Sequence, residues 1–236
     1  MVIVVVGQPA YRPPTDSAPG AAAGPAVGVA RAAVAAGAVA QLIGKVGADM
    51  AGDALLLDLA RAGIGHAAVL RDPGRPTAVA PTPIAADLGE DPAFSPPLDE
   101  MPHLADGSEV PAEPVHDEPR LGLDAADVDL GLRYLTGYGV IVTAEPLSDA
   151  TMAIVAEAAA YAGAHLVVVT RSGSPGPVID RNVPSTFLEA PADDPDEQFA
   201  GVVGRYAAAL DTGAAAQEAF RTALGATGWE PVTPPA

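Results

Sequence analysis

Cysteine is absent from the 236 residues, so the chain has no disulfide, no thiolate metal site and no cysteine nucleophile. Lysine is nearly absent too. Lys45 is the only one, and 12 Lys and Arg face 30 Asp and Glu, for a formal net charge of −18. Such a surface repels polyanions, which argues against nucleic acid and anionic membrane as partners. A phosphate could still be held locally, but only where backbone N–H groups or a basic side chain meet it. Long apolar runs are also missing. Hydrophobic residues make up 49% of the chain, but they fall in short stretches, below the ~18 to 20 consecutive residues that span a bilayer. His66, His103, His116 and His165 lack metal-ligand spacing, so no metal site is predicted. The start, Met1 to Gly7, has no basic n-region and no cleavage-type small residues after a longer apolar stretch. It is read as a buried strand and not as a secretion signal, and the protein is expected in the cytoplasm.

A chain of this length can bury one sizeable α/β core, so residues 1–236 are read as a single domain. Residues 2–7 are a β-branched run ending in Gly, the pattern of a central strand that feeds a loop. Arg12 to Ser17 reads as a turn or loop. Pro25 to Ala36 is rich in Ala and Val, has no interior proline and is stopped by Gly37, which predicts a helix packed closely on a sheet. A strand over Val39–Ile43 and a glycine-rich turn over Gly44–Gly47 follow. Leu55, Leu56 and Leu59 at helical spacing predict a helix over Asp53–Ala62, and Ala67–Leu70 is extended. Gly139–Thr143 and His165–Thr170 read as strands, with Asp149–Ala162 between them as a helix capped by Ser148. Two last helices are predicted over Glu197–Leu210 and Gln217–Leu224. This alternation argues for a mainly parallel sheet covered by helices. Residues 81–129 depart from it: proline recurs and Asp and Glu accumulate with few basic partners, so an acidic, proline-rich insert is predicted.

Several short motifs stand in order over the first third. They are Ala23-Gly24-Pro25-Ala26-Val27-Gly28-Val29-Ala30, then Ile43-Gly44-Lys45-Val46-Gly47-Ala48-Asp49-Met50-Ala51-Gly52, then Leu59-Ala60-Arg61-Ala62-Gly63-Ile64 and Arg71 to Thr77. Together they resemble the ribokinase (PfkB) family of carbohydrate kinases, in which a G-G-x-x-x-N-x-A stretch opens a helix and a G-x-V-G-x-D-x-x-G turn follows the next strand. The resemblance implies a three-layer αβα, ribokinase-like (Rossmann-like) fold with a reduced lid or an acidic insert. In the later half, Val140 to Val169 and the helix from Phe199 look like family elements, but Arg171 to Asp196 is too short for all that the family carries there. The unit that helps hold the adenine is missing or much reduced. Gly44-Lys45-Val46 is not a P-loop, since Val46 stands where Ser or Thr would hold magnesium.

The resemblance also assigns site residues, and several are altered. Gly24, Gly28, Gly44, Lys45 and Arg12 fall at substrate-binding positions. Arg12 stands where the family has a sugar-binding Asp, exchanging an acceptor for a donor, and Gly28 replaces a sugar-contacting Asn. The family's G-A-G-D turn, whose amides form an anion hole and whose Asp is the base, becomes Asp194-Pro195-Asp196-Glu197. Proline removes an N–H donor, and each carboxylate about 4 Å from a phosphate oxygen would cost on the order of 4 kcal/mol at a dielectric of 20. A second reading of the same stretch is local: acids in the first turn of a helix suit its dipole. The leading reading is therefore a homologue that has lost phosphotransfer and needs no cofactor, and that binds a small anionic ligand or a sugar at Arg12 and Lys45. The competing one is a divergent ATP-dependent sugar or nucleoside kinase, with Glu197 as catalytic base and magnesium on acids such as Asp193. A third reading is a purely structural subunit, which the resemblance implies because family members often pair through their edge strands; a homodimer is expected.

Overall fold

The computed structural model describes residues 1–80, 121–192, 194 and 198–227. Among the described residues there are eight strands: β1 (Val2–Val6), β2 (Ala10–Arg12), β3 (Ala21–Ala23), β4 (Val39–Gly47), β5 (Gly65–Asp72), β6 (Tyr138–Thr143), β7 (His165–Arg171) and β8 (Ser185–Ala190). The helices are α1 (Pro25–Ala35), α2 (Met50–Arg61), α3 (Ala125–Tyr134), α4 (Asp149–Ala162), α5 (Gln198–Asp211) and α6 (Ala216–Thr227). Six strands form one sheet in the order β5-β4-β1-β6-β7-β8, with every pairing parallel. Parallel strands need covered faces, and their two-residue alternation explains how both are filled. Ile3 and Val5 of β1 pack with α1, α2, α5 and α6 on one side, while Val4 and Val6 pack with α3 and α4 on the other. This is the expected three-layer α/β arrangement. No helix among the described residues is long and apolar enough to cross a membrane.

The first helix layer is drawn tight by small residues. A Cβ on Gly28 of α1 would lie 2.9 Å from the Ala200 Cβ of α5, and one on Gly204 of α5 would lie 2.6 Å from the Ala32 Cβ. Only glycine lets these two backbones approach so closely.

Four sequence expectations are corrected. Gly44–Gly47 is not a turn but the last part of β4, paired with β5 from Val69 to Asp72. Its glycine is a packing requirement, because a Cβ on Gly44 would lie 2.7 Å from the Pro9 ring. Helix α2 begins earlier than the leucine spacing suggests, since the Asp49 side chain caps it by accepting the Gly52 amide. Strand β8 was not anticipated; it fills the span between β7 and α5 and ends the sheet. Arg12 closes strand β2, which pairs antiparallel with β3 in a short ribbon. Tyr11 ties this ribbon to the body through N–H to the Ala78 carbonyl (2.7 Å), and its own carbonyl accepts the Ala80 amide (2.9 Å). On the β3 side the Ala22 amide donates to Asp58 of α2 at 2.8 Å, and Asp58 also pairs with Arg31 of α1.

Of the acidic insert, residues 81–120 lie outside the described ones. Its expected end at Asp129 overlaps α3. There Asp124 and Asp127 form a reciprocal capping box and Val128 is fully buried, which gives this acidic stretch regular structure.

Candidate functional site

In parallel α/β sheets the carboxyl ends of the strands open a crevice between the layers. Here the ends of β6, β7 and β8 meet the N-termini of α1 and α5 around a cleft of about 390 Å³. Its polar lining comes from Glu145, Thr170, Arg171 and Asp194; Pro25, Val169 and Phe199 supply apolar wall.

Gly24 lies at the mouth with φ +98°, a conformation that favours glycine, and it turns the chain from β3 into Pro25 at the start of α1. Across from it, Asp194 caps α5. Its Oδ1 accepts the Gln198 amide at 2.9 Å and its Oδ2 the Phe199 amide at 3.0 Å. The first-turn amides of the helix thus already hold an anion that belongs to the chain.

Glu145 follows β6 and is partly buried. The Gln8 amide donates to its Oε1 at 2.6 Å, drawing together the loops after β1 and β6. Burial pushes its carboxyl above the usual range, against the opposing pull of that amide and of Arg171. Arg171, exposed at the end of β7, is the cation of the cleft.

The structure brings two of the sequence-predicted positions together here, Gly24 and Asp194. Arg12, Gly28, Gly44 and Lys45 do not line the cleft. Gly28 lies in the crossing of α1 and α5, and Gly44 is buried against Pro9. Lys45, on β4, forms an ion pair with Asp127 of α3, both side chains being largely buried. Pro195, Asp196 and Glu197 lie outside the described residues. Sequence reasoning did not single out Glu145 and Arg171 as site residues. An acid directly after a β-branched strand is a faint pointer to a crevice, and an Arg ending the next strand is another. Among the described residues no group of three His, Asp or Glu is placed to hold a metal ion.

The sequence profile of the pfkB family carbohydrate kinases matches residues 19–93, which contain Gly24, Gly28, Gly44 and Lys45. Arabidopsis thaliana ribokinase, solved with ribose and ATP, superposes with a TM-score of 0.56 at 12% identity, over 95% of this chain and 90% of that one. The fold is ribokinase-like. A putative ribokinase II from E. coli, solved with ATP and magnesium, gives a TM-score of 0.55 at 12% identity, over 94% of this chain and 89% of its own. An uncharacterized sugar kinase from Pyrococcus horikoshii aligns with 72% of this chain at 12% identity and a TM-score of 0.43; there the ribokinase-like chain spans 53% of the relative's length. No curated protein matches it in sequence.

Proposed function

We propose that this ribokinase-like protein is a PfkB-type carbohydrate kinase homologue that has lost phosphotransfer and acts as a binding protein, with its ligand in the cleft between the starts of α1 and α5. The observation that carries this reading is the Asp194 carboxylate on the Gln198 and Phe199 amides. Phosphoryl transfer is catalysed largely by donors preorganised for the developing charge, and helix-start amides are such donors. In this chain they face an internal carboxylate, and a transferring phosphate would meet its negative charge. Shortening supports the same reading: no helix or strand intervenes between Arg171 and Ser185, and β8 ends the sheet. The described residues therefore do not fit the terminal phosphate of ATP.

Phe199 and Val169 offer apolar wall, Glu145 an acceptor and Arg171 donors, a set that suits a small sugar or a singly charged anion. Because Lys45 is engaged by Asp127, Arg171 is the cation such an anion would meet. The test is ADP release from Mg-ATP with pentoses, hexoses and nucleosides as acceptors, beside a thermal shift with Mg-ATP. Neither turnover nor a rise in Tm is expected. Turnover that disappears in Glu197→Gln would refute the loss of phosphotransfer and establish an ATP-dependent sugar or nucleoside kinase with Glu197 as base.

A further inference from the structure

Tyrosine is scarce, with five in the whole chain, yet three of them gather at one place. Helix α3 ends at Tyr134 shortly before β6 starts at Tyr138, and α4, with Tyr161 in its last turn, ends shortly before β7 starts at His165. Because β6 and β7 are parallel neighbours, both helix C-termini lie where the strands begin, at the opposite end from the crevice at Asp194.

Between the two helices this edge carries a groove of about 540 Å³, which shares no residue with the Asp194 cleft. Helical spacing builds its walls. Ile154, Glu157, Ala158 and Tyr161 form one stripe of α4 at i, i+3, i+4 and i+7, and Asp129, Leu132 and Arg133 form a stripe of α3; Tyr138 joins them from the strand start. Tyr161 is 94% exposed, so its ring adds nothing to the core, and any good helix former would serve the fold at that position.

Charge selects the occupant. Arg133 is held by Asp129, through Nε at 3.1 Å and Nη2 at 2.7 Å, so that pair is neutral. Glu157 has no ion-pair partner among the described residues, which leaves the groove with one net negative charge. The two helix C-termini add the negative ends of their dipoles, and an anion is repelled. A hard metal ion needs several oxygen ligands, and among the described residues no group of three His, Asp or Glu is placed to supply them. A primary ammonium holds its water tightly, and the apolar walls of Leu132, Leu135, Ile154 and Ala158 cannot replace it. A cation clothed in methyl groups suits every feature: its carbon surface rests on these walls, and its charge is met by tyrosine ring faces and by Glu157.

We infer that this groove binds a small organic monocation with a quaternary, N-methylated ammonium head, with Tyr138 and Tyr161 as its aromatic walls and Glu157 as its counter-charge. The site lies apart from the Asp194 cleft and does not depend on whether the protein transfers phosphate.

The test uses the full chain labelled with 13C in the isoleucine δ1 methyls. Ile154 reports on the groove, and Ile3, fully buried on the other face of the sheet, is the control. The probes are choline, its uncharged tert-butyl isostere dimethylbutanol, and potassium, at matched ionic strength. Choline should shift Ile154 saturably while Ile3 stays still, and neither the isostere nor potassium should do so at the same concentration. Tyr161→Ala and Glu157→Gln should each weaken choline binding roughly two- to fivefold, whereas Tyr161→Phe, which keeps the ring, should retain it. Both side chains are exposed, and the Tm of each variant checks that it is folded. No Ile154 shift with choline, an equal shift with the isostere or with potassium, or unchanged affinity in Tyr161→Ala would overturn the assignment. So would a solution dimer that Tyr161→Ala dissociates, because a second copy of the chain would then cover the groove.

Discussion

A carboxylate ahead of a helix stabilises it in two ways, by accepting amides that lack an intrahelical partner and by facing the positive end of the dipole. Asp194 does both for α5, so Asp194→Ala should cost about 1 kcal/mol, read as a Tm lower by about 2–4 °C. An unchanged Tm would show that the cap adds little. Glu145 makes a different forecast. Burial raises its carboxyl pKa above the ordinary 4.5, so just above that value the native chain holds a proton that the unfolded chain has lost. Its contribution is full below pH 4.5 and is lost as pH rises through the raised value. Glu145→Gln cannot ionise, and the Tm difference in its favour should widen as pH increases over that window; parallel curves would refute this. The two residues also differ in how far they could be read beforehand. Asp194 stands five residues before Phe199, the first residue of a hydrophobic helical face, so its place at a helix start was readable. Glu145 reads as an ordinary loop acid until the Gln8 amide, 137 positions away, is seen on it.

Among the elements, those with a local signal were legible. Helix α4 spans Asp149–Ala162 as expected, because Ser148 caps it by accepting the Thr151 amide and Gly163 stops it with φ +63°. Strands β1, β6 and β7 announced themselves through β-branched runs. Three-residue strands such as β2 and β3 have no period to detect, and β8 opens on Ser185-Thr186 just after a proline. The contact of α1 with α5 was equally hidden, since the glycines that permit it lie in ordinary helical sequence. Gly204→Ala tests that contact. The added methyl would press on Ala32 and on the Val29 carbonyl, both on α1, and should destabilise the protein by about 1–3 kcal/mol in urea unfolding. A stabilised variant, as helix propensity alone would give, would mean that the helices can separate at little cost.

At the scale of the molecule, charge dominates. With a formal charge of −18, self-repulsion should outweigh ion pairs such as Arg31 with Asp58 and Lys45 with Asp127. Tm should therefore rise between about 10 mM and about 150 mM NaCl, as the screening length falls from about 30 to about 8 Å. A falling Tm would show that the ion pairs prevail. The β2–β3 ribbon carries a consequence of another kind. It is joined to the body at Tyr11, Ala22 and Ala80 through main-chain groups, and β3 is alanine throughout. Evolution can therefore exchange the outward side chains of this ribbon with little penalty. A proline at position 22 or 80 is the kind of change it could not absorb, because each would delete the N–H that serves as a rivet.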